Sequence, residues 1–162
     1  MEAKFSLRLR DSACEFFWSD WRIGHLMGQS PKNQMSWHRG GCHCGAVAYE
    51  VQTPDEIELV DCNCSMCFKT GYLHLIVPKS RFKLVRGQEA LAIYTFNTGA
   101  AKHMFCKVCG IKSFYVPRSH PDGYSVNFRC LDAGEFKSIM TTEFDGQHWE
   151  LHAGELSQLE PN

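Results

Sequence analysis

The chain has 162 residues, 44% of them hydrophobic, 12% aromatic and 22% charged, with 17 Lys+Arg against 18 Asp+Glu for a net charge of −1. This is the profile of one globular domain of ordinary size with a modest extension. A polyanion-binding chain held by bulk charge would be far more basic, which weighs against nucleic acid as a partner, and no run nears the ~18–20 apolar residues a bilayer crossing requires.

Residues 1–36 read as an N-terminal extension: a short strand over 4–10, then Cys14, Phe17, Trp18 and Trp21 at helical spacing, then a polar linker over 28–34. Acidic residues Glu2, Asp11, Glu15 and Asp20 argue against a signal or transit peptide, which leaves the cytoplasm as the default compartment and the nucleus open. From Trp37 to about residue 150, short apolar runs alternate with turns. Val47, Tyr49 and Val51 form the first, and runs over 72–77, 82–85, 91–96, 111–116 and 124–131 follow. Such spacing predicts a small antiparallel β-rich, all-β zinc-binding domain. A helical segment is expected only near the end, around Trp149, before a tail over 151–162.

Nine cysteines are the unusual count, and seven of them fall into three tight clusters. Cys42/Cys44, Cys62/Cys64/Cys67 and Cys106/Cys109 are too close within each cluster to pair easily, yet converge well on a metal ion. Gly45 and Gly110 follow Cys44 and Cys109, as the left-handed turn of a zinc knuckle requires. Cys42, Cys44, Cys106 and Cys109 are therefore the candidate four-thiolate structural site, without whose metal the domain is not expected to fold. Cys62, Cys64 and Cys67 fill three tetrahedral corners. They read either as a catalytic zinc with one open position or as a second structural site completed by Asp61, His43, His74 or His103. An iron–sulfur site fits a three-cysteine cluster less well. Cys14 and Cys130 read as spare thiols.

The stretches Gly40–Val47, Asp61–Cys67 and Phe105–Gly110 resemble the family of glutathione-dependent formaldehyde-activating enzymes. The segments over 76–84, 95–98, 113–119 and 130–132 resemble its animal branch named for centromere protein V. The resemblance implies a β-rich Mss4-like fold and two zinc ions per chain. Cys42, Cys44, Cys106 and Cys109 would hold the structural zinc, and Cys62, Cys64 and Cys67 the catalytic one. It further implies carbon–sulfur lyase-type chemistry, in which glutathione and formaldehyde give S-hydroxymethylglutathione. Two basic residues common in relatives after the third cysteine are here Phe68-Lys69-Thr70-Gly71, and the basic arm of centromere protein V is missing. Lys69, Arg81, Lys107 and Arg118 are candidates to meet the glutathione carboxylates, and His43 and His103 to relay protons. The competing expectation is a non-enzymatic zinc module on chromatin or microtubules, served by Lys79, Arg81, Lys83 and Arg86.

Overall fold

A computed structural model of the protein describes residues 34–132, 134 and 136–158. The strand, the helical stretch with Cys14 and all but the last residue of the linker expected in the extension lie outside them. Ten strands among the described residues form two sheets. The smaller holds β1 (Met35–Gly41), β2 (Ala48–Pro54) and β5 (Phe82–Arg86), in the order β1-β2-β5. The larger holds β3 (Glu56–Cys62), β4 (Leu73–Pro78), β6 (Leu91–Tyr94), β7 (Lys102–Cys106), β8 (Phe114–Val116), β9 (Gly123–Asn127) and β10 (Ser138–Phe144). Its order is β10-β3-β4-β9-β8-β7-β6.

Strands dominate the regular structure of the described residues, as the alternation predicts. Several local features differ from that reading: β1, β3 and β7 form where no apolar run stood out, and the run over 124–131 is strand only as far as Asn127. Only 114–116 of the run over 111–116 is strand. The polar stretch over 138–144 becomes β10, which joins the sheet parallel to β3 in an otherwise antiparallel array. A helix α1 (Ser65–Thr70) also lies mid-chain, besides the terminal α2 (Trp149–Ser157). Neither helix is long or apolar enough to cross a membrane.

Alternation of side chains divides the larger sheet into two buried faces. Leu59, Leu75, Val77, Phe114 and Val126 face the smaller sheet and pack with its Val47, Tyr49, Val51 and Phe82. The residues one step along, Val60 and Tyr115, belong to a second apolar cluster with Cys62, Cys67, Tyr72, Phe144 and Leu156. Register places Val60 opposite His74, and Tyr115 and Ile76 each opposite Ser125. The first face is thus a core between sheets, and the second is a wall against which α1 and α2 enclose a cavity.

Candidate metal centres

The turn from β1 to β2 brings Cys42 and Cys44 to the turn that follows β7, where Cys106 and Cys109 stand. All four Sγ atoms lie within 4.8 Å of one another. Two sulfurs on one tetrahedral zinc, with bonds of about 2.3 Å, stand about 3.8 Å apart. Here Cys42 and Cys44 are separated by 3.5 Å, and Cys44 and Cys106 by 3.7 Å. Backbone N–H groups of Val47 and Val108 donate to the sulfurs of Cys42 and Cys106 at 3.2 and 3.4 Å. Gly45 and Gly110 have φ of 74° and 75°, the left-handed conformation that lets the chain fold around the thiolates. Spacing, donor set and supporting hydrogen bonds all suit a closed tetrahedral thiolate site.

The other cluster forms where β3 turns through α1 into β4. Cys62 ends β3 and Cys64 caps α1, its sulfur accepting from the Cys67 N–H at 3.4 Å. Cys62 and Cys67 are buried, whereas Cys64 is partly exposed. Hydrogen bonds shared with the Cys62 and Cys67 side chains pull the Cys64 thiol down to about 2, and the same sharing together with burial pushes Cys67 far up. The three thiols therefore titrate as one interacting group.

Of the four side chains proposed to complete this cluster, His74 reaches it: its ring nitrogen groups with the Cys62 and Cys67 sulfurs within 4.8 Å, a set that does not include Cys64. Asp61 and His43 are exposed, and neither they nor His103 join it. The His74 Nε2 lies 3.1 Å from the Cys67 sulfur. A sulfur and a nitrogen sharing one zinc stand about 3.6 Å apart, so this shorter contact is better described as a hydrogen bond. Ser125 Oγ, 2.9 Å from Nδ1, can donate to that nitrogen, which leaves Nε2–H to donate to sulfur. Burial holds His74 at about 3, so the ring is neutral at physiological pH.

Above the thiols opens a cavity of about 400 Å³, within the range of about 300–1,000 Å³ typical of small-molecule sites. Cys62, Cys64, Cys67 and His74 line one part of it; Phe96, Asn97, His103, Arg118, Gln147 and Trp149 are among the residues lining the rest. The His103 ring stacks between Phe96 and Tyr115, with centroids at 5.2 and 4.9 Å, and neither nitrogen has a hydrogen-bond partner. Burial lowers it to about 4. Arg118 is the one of the four proposed carboxylate contacts that reaches the cavity. Lys69 is exposed on α1, and Lys107 donates to the Glu89 carbonyl at 2.9 Å. Arg81 sits on the 3-10 turn before β5. Cys130, raised by burial to about 11, joins neither cluster.

Two residues near the thiols escaped the sequence reading. A Cβ on Gly146 would run into the Cys62 sulfur, so the glycine admits the cluster. Lys112 is buried beside Tyr72 and Tyr115 with no hydrogen-bond partner. Neither position carries a local signal, since a glycine in a loop and a lysine near a turn are ordinary.

The sequence profile of the glutathione-dependent formaldehyde-activating enzyme family matches residues 37–146, more than half of the chain and all three cysteine clusters. The chain belongs to this family. A Halomonas elongata protein provisionally named a glutathione-dependent formaldehyde-activating enzyme is 33% identical over 78 residues, covering 43% of this chain. That match spans half the length of the Halomonas protein. A crystal structure of a Rhodobacter sphaeroides protein superposes with a TM-score of 0.55 at 36% identity, over 64% of this chain and 99% of the other. Family membership thus agrees with a β-rich fold that gathers cysteines into two clusters able to hold metal.

Proposed function

We propose that the chain binds glutathione and joins it to formaldehyde, using a zinc ion held by Cys62, Cys64 and Cys67. A second, structural zinc is held by Cys42, Cys44, Cys106 and Cys109. The observation that carries this reading is the cavity of about 400 Å³ with three thiols on one side and a guanidinium on its wall. Zinc, when bound, would favour the thiolate form of glutathione and polarise a carbonyl oxygen.

The protein's own groups supply the rest. His74 steadies the Cys67 sulfur through its Nε2–H, and Arg118 offers its guanidinium to one of the two glutathione carboxylates. His103 stays neutral in the cavity wall, both its ring nitrogens buried and unpartnered. The glutathione thiol gives its proton to solvent as the sulfur lone pair forms the bond to the formaldehyde carbon. The π pair of the carbonyl moves onto oxygen, which takes up a proton from solvent. The product is S-hydroxymethylglutathione, nothing is oxidised, and the step is formally that of a carbon–sulfur lyase in reverse. Thiols kept unpaired for metal suit a reducing compartment such as the cytoplasm.

The alternative, a zinc module of centromere protein V type on chromatin or microtubules, would use the basic stretch over 79–86. There Lys83 lies 3.9 Å over the Trp37 ring and Arg86 donates to the Gly45 carbonyl at 3.0 Å, so two of its four charges are already engaged.

Zinc content and glutathione titration of the wild type and of Cys64→Ser test the proposal. The wild type should hold two zincs, with glutathione perturbing one of them. Cys64→Ser should abolish that response, retain the other zinc, and lower formaldehyde-dependent consumption of glutathione by about a hundredfold or more. Two zincs indifferent to glutathione would overturn the enzymatic reading in favour of the binding module.

A further inference from the structure

The loop after Gly110 places two neighbouring side chains against ordinary preference. Ile111 is exposed, while Lys112 is only 7% exposed; lysine is almost never so buried unless paired. The backbone on both sides is held in place. The Ile111 carbonyl accepts from the Cys106 N–H at 3.0 Å, and the Ser113 carbonyl accepts from the Asn127 N–H at 2.9 Å. The lysine therefore points inward by construction.

Its Nζ lies 4.1 Å from the Tyr115 ring centroid and 4.4 Å from that of Tyr72. Ring faces attract an ammonium, yet they replace neither the hydrogen bonds nor the full solvation of water. No acceptor is in reach of Nζ, and no carboxylate pairs with it among the described residues. Both rings belong to the apolar cluster that holds Cys62 and Cys67, and the Cys67, Cys64 and Cys62 thiols oppose the loss of its charge. Lys112 does not line the cavity, so it is not placed to touch a substrate.

We propose that Lys112 is a positioning residue for the Cys62–Cys64–Cys67 centre, a buried counter-charge that stabilises the three thiolates at the expense of the fold. The inference rests on the metal reading given above. Three thiolates and a divalent ion carry −1 together, and one ammonium brings the assembly to neutrality. A neutral assembly is far easier to hold in an apolar wall than either charge alone. Burial takes the lysine down to about 8 while the thiols oppose the shift, so each side stabilises the charge on the other.

The full chain is compared with Lys112→Met, which keeps the length and removes the charge, and Lys112→Arg, which keeps the charge. Zn²⁺ and Co²⁺ are titrated against a competing chelator, and Cys64→Ser identifies which affinity belongs to which centre. Lys112→Met should bind metal at the Cys62 centre about tenfold or more weakly, with the Cys42 centre unchanged as the internal measure of a native fold. With only the Cys62 centre emptied, in a Cys64→Ser background whose Cys42 centre stays loaded, Lys112→Met should raise the urea concentration needed to unfold the chain, because an unpaired buried ammonium has been removed. Lys112→Arg should recover most of the lost affinity.

Equal affinity in Lys112→Met and wild type overturns the inference alone. So does equal weakening in the Met and Arg variants, which would show that shape rather than charge matters. Lys112→Met less stable than its parent in the Cys64→Ser background overturns it as well, by making the lysine a structural asset. A wild-type chain that binds a single metal would sink the functional reading and this inference with it.

Discussion

Gly146 shows how one missing side chain admits a metal site. The residue follows β10, and a Cβ there would meet the Cys62 sulfur and crowd the Cys64 Cβ. The adjoining backbone cannot easily move away: the Gln147 N–H donates to Asn63 Oδ1 at 3.0 Å, and Asn63 Nδ2 donates to Asp145 at 3.0 Å. Gly146→Ala should therefore weaken metal at the Cys62 centre by about tenfold or more while leaving the Cys42 centre loaded. Metal content by mass spectrometry under native conditions reads the difference. Full loading of both centres in the variant would show that the loop yields.

Among the elements, α2 and the segment that follows β8 meet across the cavity rim through one ion pair. Arg118 donates to both Glu150 carboxylate oxygens at 2.9 and 3.1 Å and stacks 5.2 Å over Trp149. The Glu150 side chain is 77% exposed, so its pairing contributes about 0–1 kcal/mol to the fold. Glu150 occupies the carboxylate position that a substrate would need at Arg118. Arg118→Ala should weaken glutathione binding by about tenfold, and Glu150→Ala should tighten it severalfold by freeing the guanidinium, with unfolding midpoints nearly unchanged. Calorimetric titration with glutathione measures both. A Glu150→Ala variant that binds no better would place the carboxylate contact elsewhere.

At the scale of the molecule, the Cys42 centre joins the two sheets. Cys42 and Cys44 belong to the hairpin of the smaller sheet, while Cys106 and Cys109 belong to β7 and its turn in the larger one. Structural zinc contributes about 10–16 kcal/mol of apparent binding free energy in small zinc domains, against about 5–15 kcal/mol of net stability for a typical domain. Cys106→Ser should accordingly abolish cooperative thermal unfolding, whereas Cys64→Ser should retain it. Circular dichroism on heating, with and without chelator, separates the two. Cooperative unfolding of Cys106→Ser would show that the inter-sheet core of Tyr49, Phe82 and Phe114 suffices alone.

Strand alternation, turn residues and cysteine spacing are local properties, and they made the β-rich class and the three cysteine clusters legible in the chain itself. The glycines after Cys44 and Cys109 announced their left-handed turns because only a missing Cβ makes that conformation easy. Helix α1 was hidden because six residues carry little periodicity, and β10 because an edge strand exposed along nearly its whole length has no alternation to display. Which residues surround the Cys62 centre was decided by tertiary structure alone. His74, Ser125 and Tyr115 come from three strands, and only sheet register aligns them on one face. Lys112 and Gly146 owe their places to what packs around them, and a neighbour distant in sequence leaves no mark on the residues beside it.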